Sequence, residues 1–403
     1  MSCGYRLCRR LTLMAEANLL KPGSEPLRIL VVVHDFQPGG VERIALRLAS
    51  RWAADGERVA IACGSPVGPL TSVAGNGTLL LNPAKPIPRS RFSRIVVAAF
   101  AARAAVEFKP DVIFLPGNFY AGMAFILKLR LGRRGPAIVV RLSNMLRRAG
   151  RRPVRQAAFL AHLAMKTAFA DRIVAMSPEL LDEARRSLPW RAAQFSAIVE
   201  PVLDADAAEV PTKGGTDGPP LLIAAGRLVG QKNFAMLIEA AALLDRPFRL
   251  VIFGEGPQRA QLEASIHSLG LAGRVALAGY VDDLRPELSD ARLFVLPSDY
   301  EGFPAVLVEA LAAGVPVVAT DCSPAIAGVV AIGDGILVPI GDPAALARAI
   351  GESLDRPRPD RRRLAASVDR YRIGPSAAAY RQLFRELAGT GDREDRSDHN
   401  ATP

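Results

Sequence analysis

The sequence predicts an α/β protein of two parallel-sheet domains facing one another across a cleft. Strand-like apolar runs alternate with helical patterns along most of the chain, the mark of a parallel sheet wound with helices. The alternation stops once, at residues 201–219 (PVLDADAAEVPTKGGTDGP), which are rich in Pro, Gly and Asp and carry no period. At 403 residues the chain is also long for a single domain. Two Rossmann-like domains follow, over 27–200 and 220–370, with 201–219 as the linker. A helix over 371–388 can pack back on the first domain, while 1–26 and 389–403 read as disordered.

The first domain has strands at 28–33, 59–62, 78–81, 111–115, 137–141, 171–176 and 195–199. Helices lie between them at 41–54, 92–107, 119–131, 154–170 and 179–186. The first of these helices sets Val41, Ile44, Leu48 and Trp52 on one face. The second domain has strands at 221–225, 248–253, 274–277, 292–296, 316–320 and 335–338. Its helices fall at 233–244, 257–269, 304–313 and 343–351, and a last one covers 376–387. Pro304 suits a first helical position, and Gly314 suits the end of the same helix. In open sheets of this kind ligands bind beyond the carboxyl ends of the strands, so the loops on that edge matter most.

Charge and composition narrow the partners. The net charge of +11 is unevenly placed: eleven Lys or Arg and no acidic residue lie between Asp111 and Asp171. That stretch is either a solvated basic face or a site for an anionic partner such as a membrane surface or a lipid diphosphate. Nucleic acid is disfavoured, because no binding motif accompanies the charge and aromatic residues are few. No apolar run is long enough to span a membrane. Arg6, Arg9 and Arg10 precede a short apolar stretch broken by Glu16, a poor signal peptide, and Met14 is an equally good start residue. Cys3, Cys8, Cys63 and Cys322 have neither metal-ligand nor disulfide spacing and read as free thiols of a reducing cytoplasm. His34, His162 and His267 read as structural or exposed.

Five loops carry chemistry. His34 to Glu42 joins the first strand to its helix, and Gly39 and Gly40 let backbone approach a phosphate at a helix N-terminus. The spacing is not G-x-G-x-x-G, so no dinucleotide fingerprint is present. Gly226-Arg227-Leu228-Val229-Gly230-Gln231-Lys232-Asn233 follows the first strand of the second domain. Arg227 offers a rigid two-pronged donor and Lys232 a mobile point charge, together a clamp for a diphosphate. Gly254, in Phe253-Gly254-Glu255-Gly256-Pro257, allows close backbone approach, whereas Glu255 faces solvent. The turn Gly279-Tyr280-Val281-Asp282-Asp283 can edge a base through its backbone. Last, Glu301 precedes a helix that carries Glu309, about 12 Å further along by helical rise. The two carboxylates are too far apart to share one atom, and they suit opposite ends of a long hydroxyl-rich ligand such as a sugar nucleotide.

In that order GRLVGQKN, FGEGP, GYVDD, EGFPAVLVEALAAGVPVVATD and GILVPIGD resemble the family 4 (group 1) retaining glycosyltransferases, which have the GT-B fold. The resemblance is strong from Leu221 to Pro343. It is weaker over 27–200, where the Gly39-Gly40 loop and Ala170 to Ser177 match. It implies that Arg227 and Lys232 bind the donor diphosphate, with Gly226, Gly254 and Val281 lining the donor site. By the same resemblance Glu309 binds the ribose hydroxyls. Glu301 addresses the donor sugar with the backbone of Gly302 and Phe303, and Gly40 approaches the phosphates from the first domain. It also implies same-face attack, with the leaving phosphate helping to deprotonate the acceptor, and it implies no cofactor and no divalent metal. Asp204-Ala205-Asp206 sits in the linker and is not assigned a metal. The chain departs from the family twice. Where members commonly carry a His after the fourth strand it has Leu115-Pro116-Gly117-Asn118-Phe119, and where many carry a loop Glu it has Ala327-Gly328-Val329.

The sequence thus points to a cytoplasmic glycosyltransferase moving a hexose-type unit from a nucleotide-sugar donor, UDP-linked, to a glycan or lipid-linked oligosaccharide in surface polysaccharide assembly. Glu301, Arg227 and Lys232 are the expected catalytic residues, and Asn118, Arg141 and Asn144 are the expected acceptor contacts. The basic residues 128–155 are expected to hold the protein on an anionic membrane face. Two alternatives keep the fold: a phosphorylase or sugar-nucleotide epimerase, and a degenerate nucleotide-binding subunit without turnover. The missing G-x-G-x-x-G disfavours a NAD-dependent oxidoreductase.

Overall fold

The computed structural model describes residues 25–37, 39–75, 77–143, 146, 153–204 and 218–397, with side chains as far as residue 389. The body of the expected linker, the basic positions 147–152 and Asn144 lie outside the described residues. The chain divides into two compact units, Met1–Pro201 with Ile373–Pro403, and Val202–Arg372.

In the first unit β1 (Arg28–Asp35), β2 (Arg58–Ser65), β3 (Leu79–Leu81), β4 (Val112–Leu115), β5 (Ala137–Arg141), β6 (Arg172–Ala175) and β7 (Phe195–Ala197) form one parallel sheet in the order β3-β2-β1-β4-β5-β6-β7. Between them run α1 (Gly40–Ala54), α2 (Ser93–Phe108), α3 (Met123–Leu131), α4 (Pro153–Lys166) and α5 (Pro178–Ser187). Ile29 to Val33 are all fully buried, as a sheet covered on both faces requires. The two-residue period divides them between two cores. Leu30 and Val32 face Val97 and Ala101 of α2, whereas Ile29 and Val31 face Leu48 and Trp52 of α1. The chain between β4 and Met123 is a run of turns rather than the start of a helix, with Tyr120 N–H bonded to Gly117 O at 2.9 Å.

In the second unit β8 (Leu221–Ala225), β9 (Arg249–Phe253), β10 (Val275–Gly279), β11 (Leu293–Leu296), β12 (Val317–Thr320) and β13 (Ile336–Val338) pair in the order β10-β9-β8-β11-β12-β13. The helices are α6 (Phe234–Ala242), α7 (Arg259–Ser268), α8 (Arg285–Leu288), α9 (Ala305–Ala312), α10 (Pro324–Ile332), α11 (Pro343–Asp355) and α12 (Arg361–Ser367). The short helices α8, α10 and α12 were not expected. Residues 327–329, read as a loop, lie inside α10, which Ser323 opens by accepting from Ile326 N–H at 3.3 Å. Burial of Ala325, Ile326, Val329 and Val330 outweighs the cost of Gly328 and the β-branched residues. Pro304 is the cap of α9 rather than its first residue. Gly314 (φ +71) ends α9: its N–H bonds to Leu311 O and that of Val315 to Ala310 O.

The last helix, α13 (Ile373–Ser397), packs on the first unit. Trp52, Phe114, Tyr380 and Phe384 form an aromatic cluster, and Trp52 Nε1 donates to Ala377 O at 3.1 Å. Buried Glu57 accepts from Arg381 Nε at 2.8 Å and Arg385 Nη2 at 2.9 Å. The polar segment from 389, expected to be unstructured, continues this helix to Ser397. Extending a docked helix avoids the nucleation cost that a free polar segment would face.

Both sheets reverse their strand order once, between β1 and β4 and between β8 and β11. Such switch points leave a crevice at the carboxyl ends of the strands, the ordinary ligand position in open α/β sheets.

Candidate functional site

The switch point of the second unit is flanked by the loop 226–233 after β8 and the loop 297–304 after β11. These loops are stitched together. Asp299 N–H donates to Gln231 O at 2.9 Å, Gln231 Nε2 to Tyr300 O at 2.8 Å and Asn233 Nδ2 to Asp299 Oδ1 at 2.8 Å. Asn233 adopts a left-handed conformation (φ 46) and caps α6, which turns the loop abruptly into the helix. Lys232 Nζ meets Glu301 Oε1 at 2.5 Å, and Ser298 Oγ donates to the same oxygen at 2.7 Å. Glu301 is buried, so this carboxylate depends on those two donors. Arg227, by contrast, is exposed, and its guanidinium has no hydrogen bond or ion pair with any described residue. The loop therefore holds one cation in place and offers the other to solvent.

Glycines permit this packing. A Cβ on Gly226 would stand 3.1 Å from Lys232 Cε, so the lysine stem lies directly over the glycine. Gly254 (φ +143) passes so close to the next loop that a Cβ would meet Gly226 O at 1.9 Å, while its N–H bonds to Gly279 O at 2.7 Å. Gly254→Ala is expected to cost on the order of 3 kcal/mol, read as a lower urea midpoint, because backbone must move. A midpoint within error of the parent would contradict this packing. Val281 is half-buried beyond β10, and Glu255 pairs with Arg259 at 3.0 Å. Glu309 is half-buried on α9. Arg285, whose pKa is raised chiefly by its hydrogen bonds to Asp283, also lies within the field of Glu309. Gly302 is buried, and the Phe303 ring rests on Tyr371 at 5.5 Å.

In the first unit the switch point lies between the loop after β1 and the loop after β4. Gly39 caps α1 and Gly40, its first residue, is exposed, with nothing within 4 Å of where a Cβ would stand. The Glu42 carboxylate reaches back to this helix start, where a Cβ on Gly39 would be 2.4 Å from Oε2, and accepts from the Tyr120 hydroxyl at 2.8 Å. Asn118 Oδ1 accepts from Ser143 N–H at 2.9 Å and the Asn118 N–H donates to Ser143 Oγ at 3.2 Å. That pairing fixes the amide orientation and leaves its NH₂ as the available donor. Arg141 corrects the expectation: it is 2 % exposed and donates to Glu200 through Nε and Nη2 and to Pro116 O at 2.7 Å. Its donors fasten strand ends together, so it is not an acceptor contact.

A network the sequence did not reveal surrounds Asp35. Arg89 forks onto its carboxylate at 2.6 and 2.8 Å, His34 Nδ1 lies 2.9 Å away and Gln37 N–H donates at 3.1 Å. Burial would raise this carboxyl, but the three donors outweigh it and hold the pKa down at about 2. A depressed folded value stabilises the protein above the ordinary 3.8, and that contribution is lost as the pH falls from about 4 through about 2. Asp35→Asn is therefore expected to flatten the fall of the melting temperature across that window. An unaltered acid limb would contradict the network. Arg89 sits in a segment without periodicity, 54 positions from Asp35, and no local pattern announces it.

Cys63 and Cys322 are buried free thiols, each pushed up to about 12 chiefly by burial, and neither is poised as a nucleophile. Among the described residues no group of three or more His, Cys, Asp or Glu could hold a metal ion. A cavity of about 200 Å³ lies at the opposite, amino-terminal edge of the second sheet, lined by Arg292, Pro316, Gly335 and Arg356 among others. Arg292 there is engaged in capping carbonyls at the end of α11.

Residues 207–369 match the family described as Glycosyl transferases group 1, and residues 39–198 match the Glycosyl transferase 4-like domain. The 2-deoxystreptamine N-acetyl-D-glucosaminyltransferase of Streptomyces fradiae is 26% identical over 82% of this chain and 86% of its own length. The lipopolysaccharide core biosynthesis glycosyltransferase LpsE of Rhizobium meliloti is 38% identical over 32% of this chain, which spans only 38% of that protein. Among solved structures, Anabaena HepE in complex with UDP-glucose superposes with a TM-score of 0.64 at 19% identity, covering 92% of this chain and 100% of that one. The two-sheet fold is that of the GT-B glycosyltransferases. With both domain families matched in order, the chain belongs to the family 4 (group 1) glycosyltransferases.

Proposed function

We propose that the protein is a retaining glycosyltransferase that moves a sugar from a UDP-linked donor to a glycan or lipid-linked oligosaccharide in surface polysaccharide assembly. The observation that carries this reading is Arg227, an exposed guanidinium without a partner among the described residues at a strand-order switch point, beside a lysine held in place by Glu301. In this reading the diphosphate of the donor draws both cations, and the same two groups stabilise the charge that grows on it as the glycosidic bond breaks. Glu301, with the backbone of Gly302 and Phe303, addresses the donor sugar, and Glu309 takes the ribose hydroxyls. Gly226, Gly254 and Val281 line the nucleotide, and the Gly39–Gly40 turn is the first unit's own contribution to phosphate binding.

The acceptor hydroxyl attacks the face from which the diphosphate departs, and the leaving phosphate takes its proton. Asn118 donates to the acceptor from its free NH₂, and Asn144 keeps its acceptor role on sequence grounds. No metal ion is required in this reading, since Arg227 and Lys232 supply the positive charge. The relative named for lipopolysaccharide core biosynthesis and the HepE complex with UDP-glucose support the acceptor and donor classes. Attachment to the inner face of an anionic membrane through the basic residues 128–155 would bring the enzyme to a lipid-linked acceptor.

A thermal-shift screen of UDP-, GDP- and ADP-sugars in excess chelator tests the reading. A rise in melting temperature with a UDP-sugar is the expected result, because a ligand that binds only the folded state stabilises it by mass action. No shift with any nucleotide sugar would overturn it.

A further inference from the structure

We infer that α4, with the adjoining edge of α3, lies flat in the interfacial layer of an anionic bilayer and inserts an apolar stripe there. This deepens the membrane attachment proposed above and is independent of the donor chemistry. Of the fourteen residues of α4 only Leu163 is buried. Val154, Ala158, Ala161 and Met165, spaced as one helical stripe, are all exposed, Val154 at 81 % and Met165 at 64 %. The stripe continues into Phe169, whose ring packs on Phe125 of α3 at 5.0 Å although both remain more than 40 % exposed. Leu129 on α3 is 69 % exposed. Single exposed apolar residues are ordinary, but a run along one helix and across to its neighbour marks an interaction surface.

The charges beside the stripe select the occupant. Arg155 and Lys166 flank it on α4, and Arg130 and Arg133 stand at the end of α3, with no acidic residue between Asp111 and Asp171. Lys166 is held below its ordinary pKa by burial and then by Arg94, which places α2's cation in the same group. A second copy of this face would bring like charges together, and nucleic acid would leave the apolar stripe in water. Anionic lipid satisfies both, with long cationic side chains reaching the headgroups while the stripe enters the acyl boundary. Trp190 is 72 % exposed, and its neighbour Arg191 donates to the Ala164 and Thr167 carbonyls at the end of α4. That anchor sets Trp190, one residue away in the chain, near the end of α4.

The full chain should be sedimented with vesicles of phosphatidylglycerol and phosphatidylcholine, and of phosphatidylcholine alone, at low and high salt. The wild type is expected to pellet with anionic vesicles, to retain part of its binding at high salt, and to shift its tryptophan emission to the blue. Trp52 is fully buried, so Trp190 is the reporter. The triple change Val154→Ser, Met165→Ser, Phe169→Ser should lower the partition coefficient about tenfold or more and remove the salt-resistant part. Arg130→Gln with Arg155→Gln should remove mainly the salt-sensitive part. Melting curves of both variants confirm folding, and the wild-type fluorescence shift needs no variant. Failure to bind anionic vesicles, equal binding by the triple variant, or a vesicle-free dimer that the triple variant abolishes would overturn the inference. A nucleotide-sugar thermal shift that survives these changes separates this outcome from failure of the donor reading.

Discussion

Arg227→Ala is expected to leave the melting temperature of the free protein unchanged and to lower sugar transfer by about two to three orders of magnitude. The two halves of that expectation have separate causes. The guanidinium is exposed and its removal takes away no hydrogen bond or ion pair with a described residue, and surface substitutions of that kind change stability little. Its proposed work begins only when a diphosphate arrives and grows as charge develops on the leaving group. Arg227→Lys should recover only part of the rate, since a point charge cannot make the two-pronged contact. Initial-rate assays with a nucleotide sugar, run beside melting curves, check both halves. A variant that is destabilised but catalytically intact would mean that Arg227 is structural.

Lys232→Ala should lose turnover on a similar scale and, unlike Arg227→Ala, should lose stability as well. Lys232 holds Glu301 at 2.5 Å, and the glutamate side chain is 8 % exposed. Without the ammonium, that carboxylate keeps only Ser298 among the two donors it had. Leaving a buried carboxylate short of its cation costs about 2 kcal/mol or more. Glu301→Gln is the diagnostic companion, because it removes the stranded charge and should restore most of the stability of Lys232→Ala without restoring transfer. Chemical denaturation of the single and double variants reads the coupling. If the double variant is no more stable than Lys232→Ala, the pair does not hold the loop.

What the chain discloses before folding depends on how local the signal is. Every strand from Arg28 to Val338 was legible to within a few residues, because buried parallel strands are uninterrupted apolar runs bounded by turns. The Gly226–Asn233 loop was legible for the same reason, since its cations follow directly on such a run. Helix α10 was not, because Ile326, Val329 and Val330 have β-branched side chains around a glycine and become helical only through burial. Arg141 misled in the opposite direction. Its place at the carboxyl end of β5 suggested a ligand contact, but Glu200, 59 positions away, claims it. Asp35 with Arg89, and Lys232 with Glu301, are likewise pairs of distant residues that only the folded sheet brings together. The docking stripe on α4 had half a signal: its basic surroundings were visible in the sequence, but the outward orientation of its apolar face was not.

The central claim is that the loop after β8 grips a diphosphate. Titrating UDP into the wild type and into Arg227→Ala, followed by calorimetry, tests it most directly. Saturable binding by the wild type is expected, with affinity lowered at least about tenfold in the variant, the loss of one charge-assisted contact. Equal UDP affinity in the two proteins would contradict it.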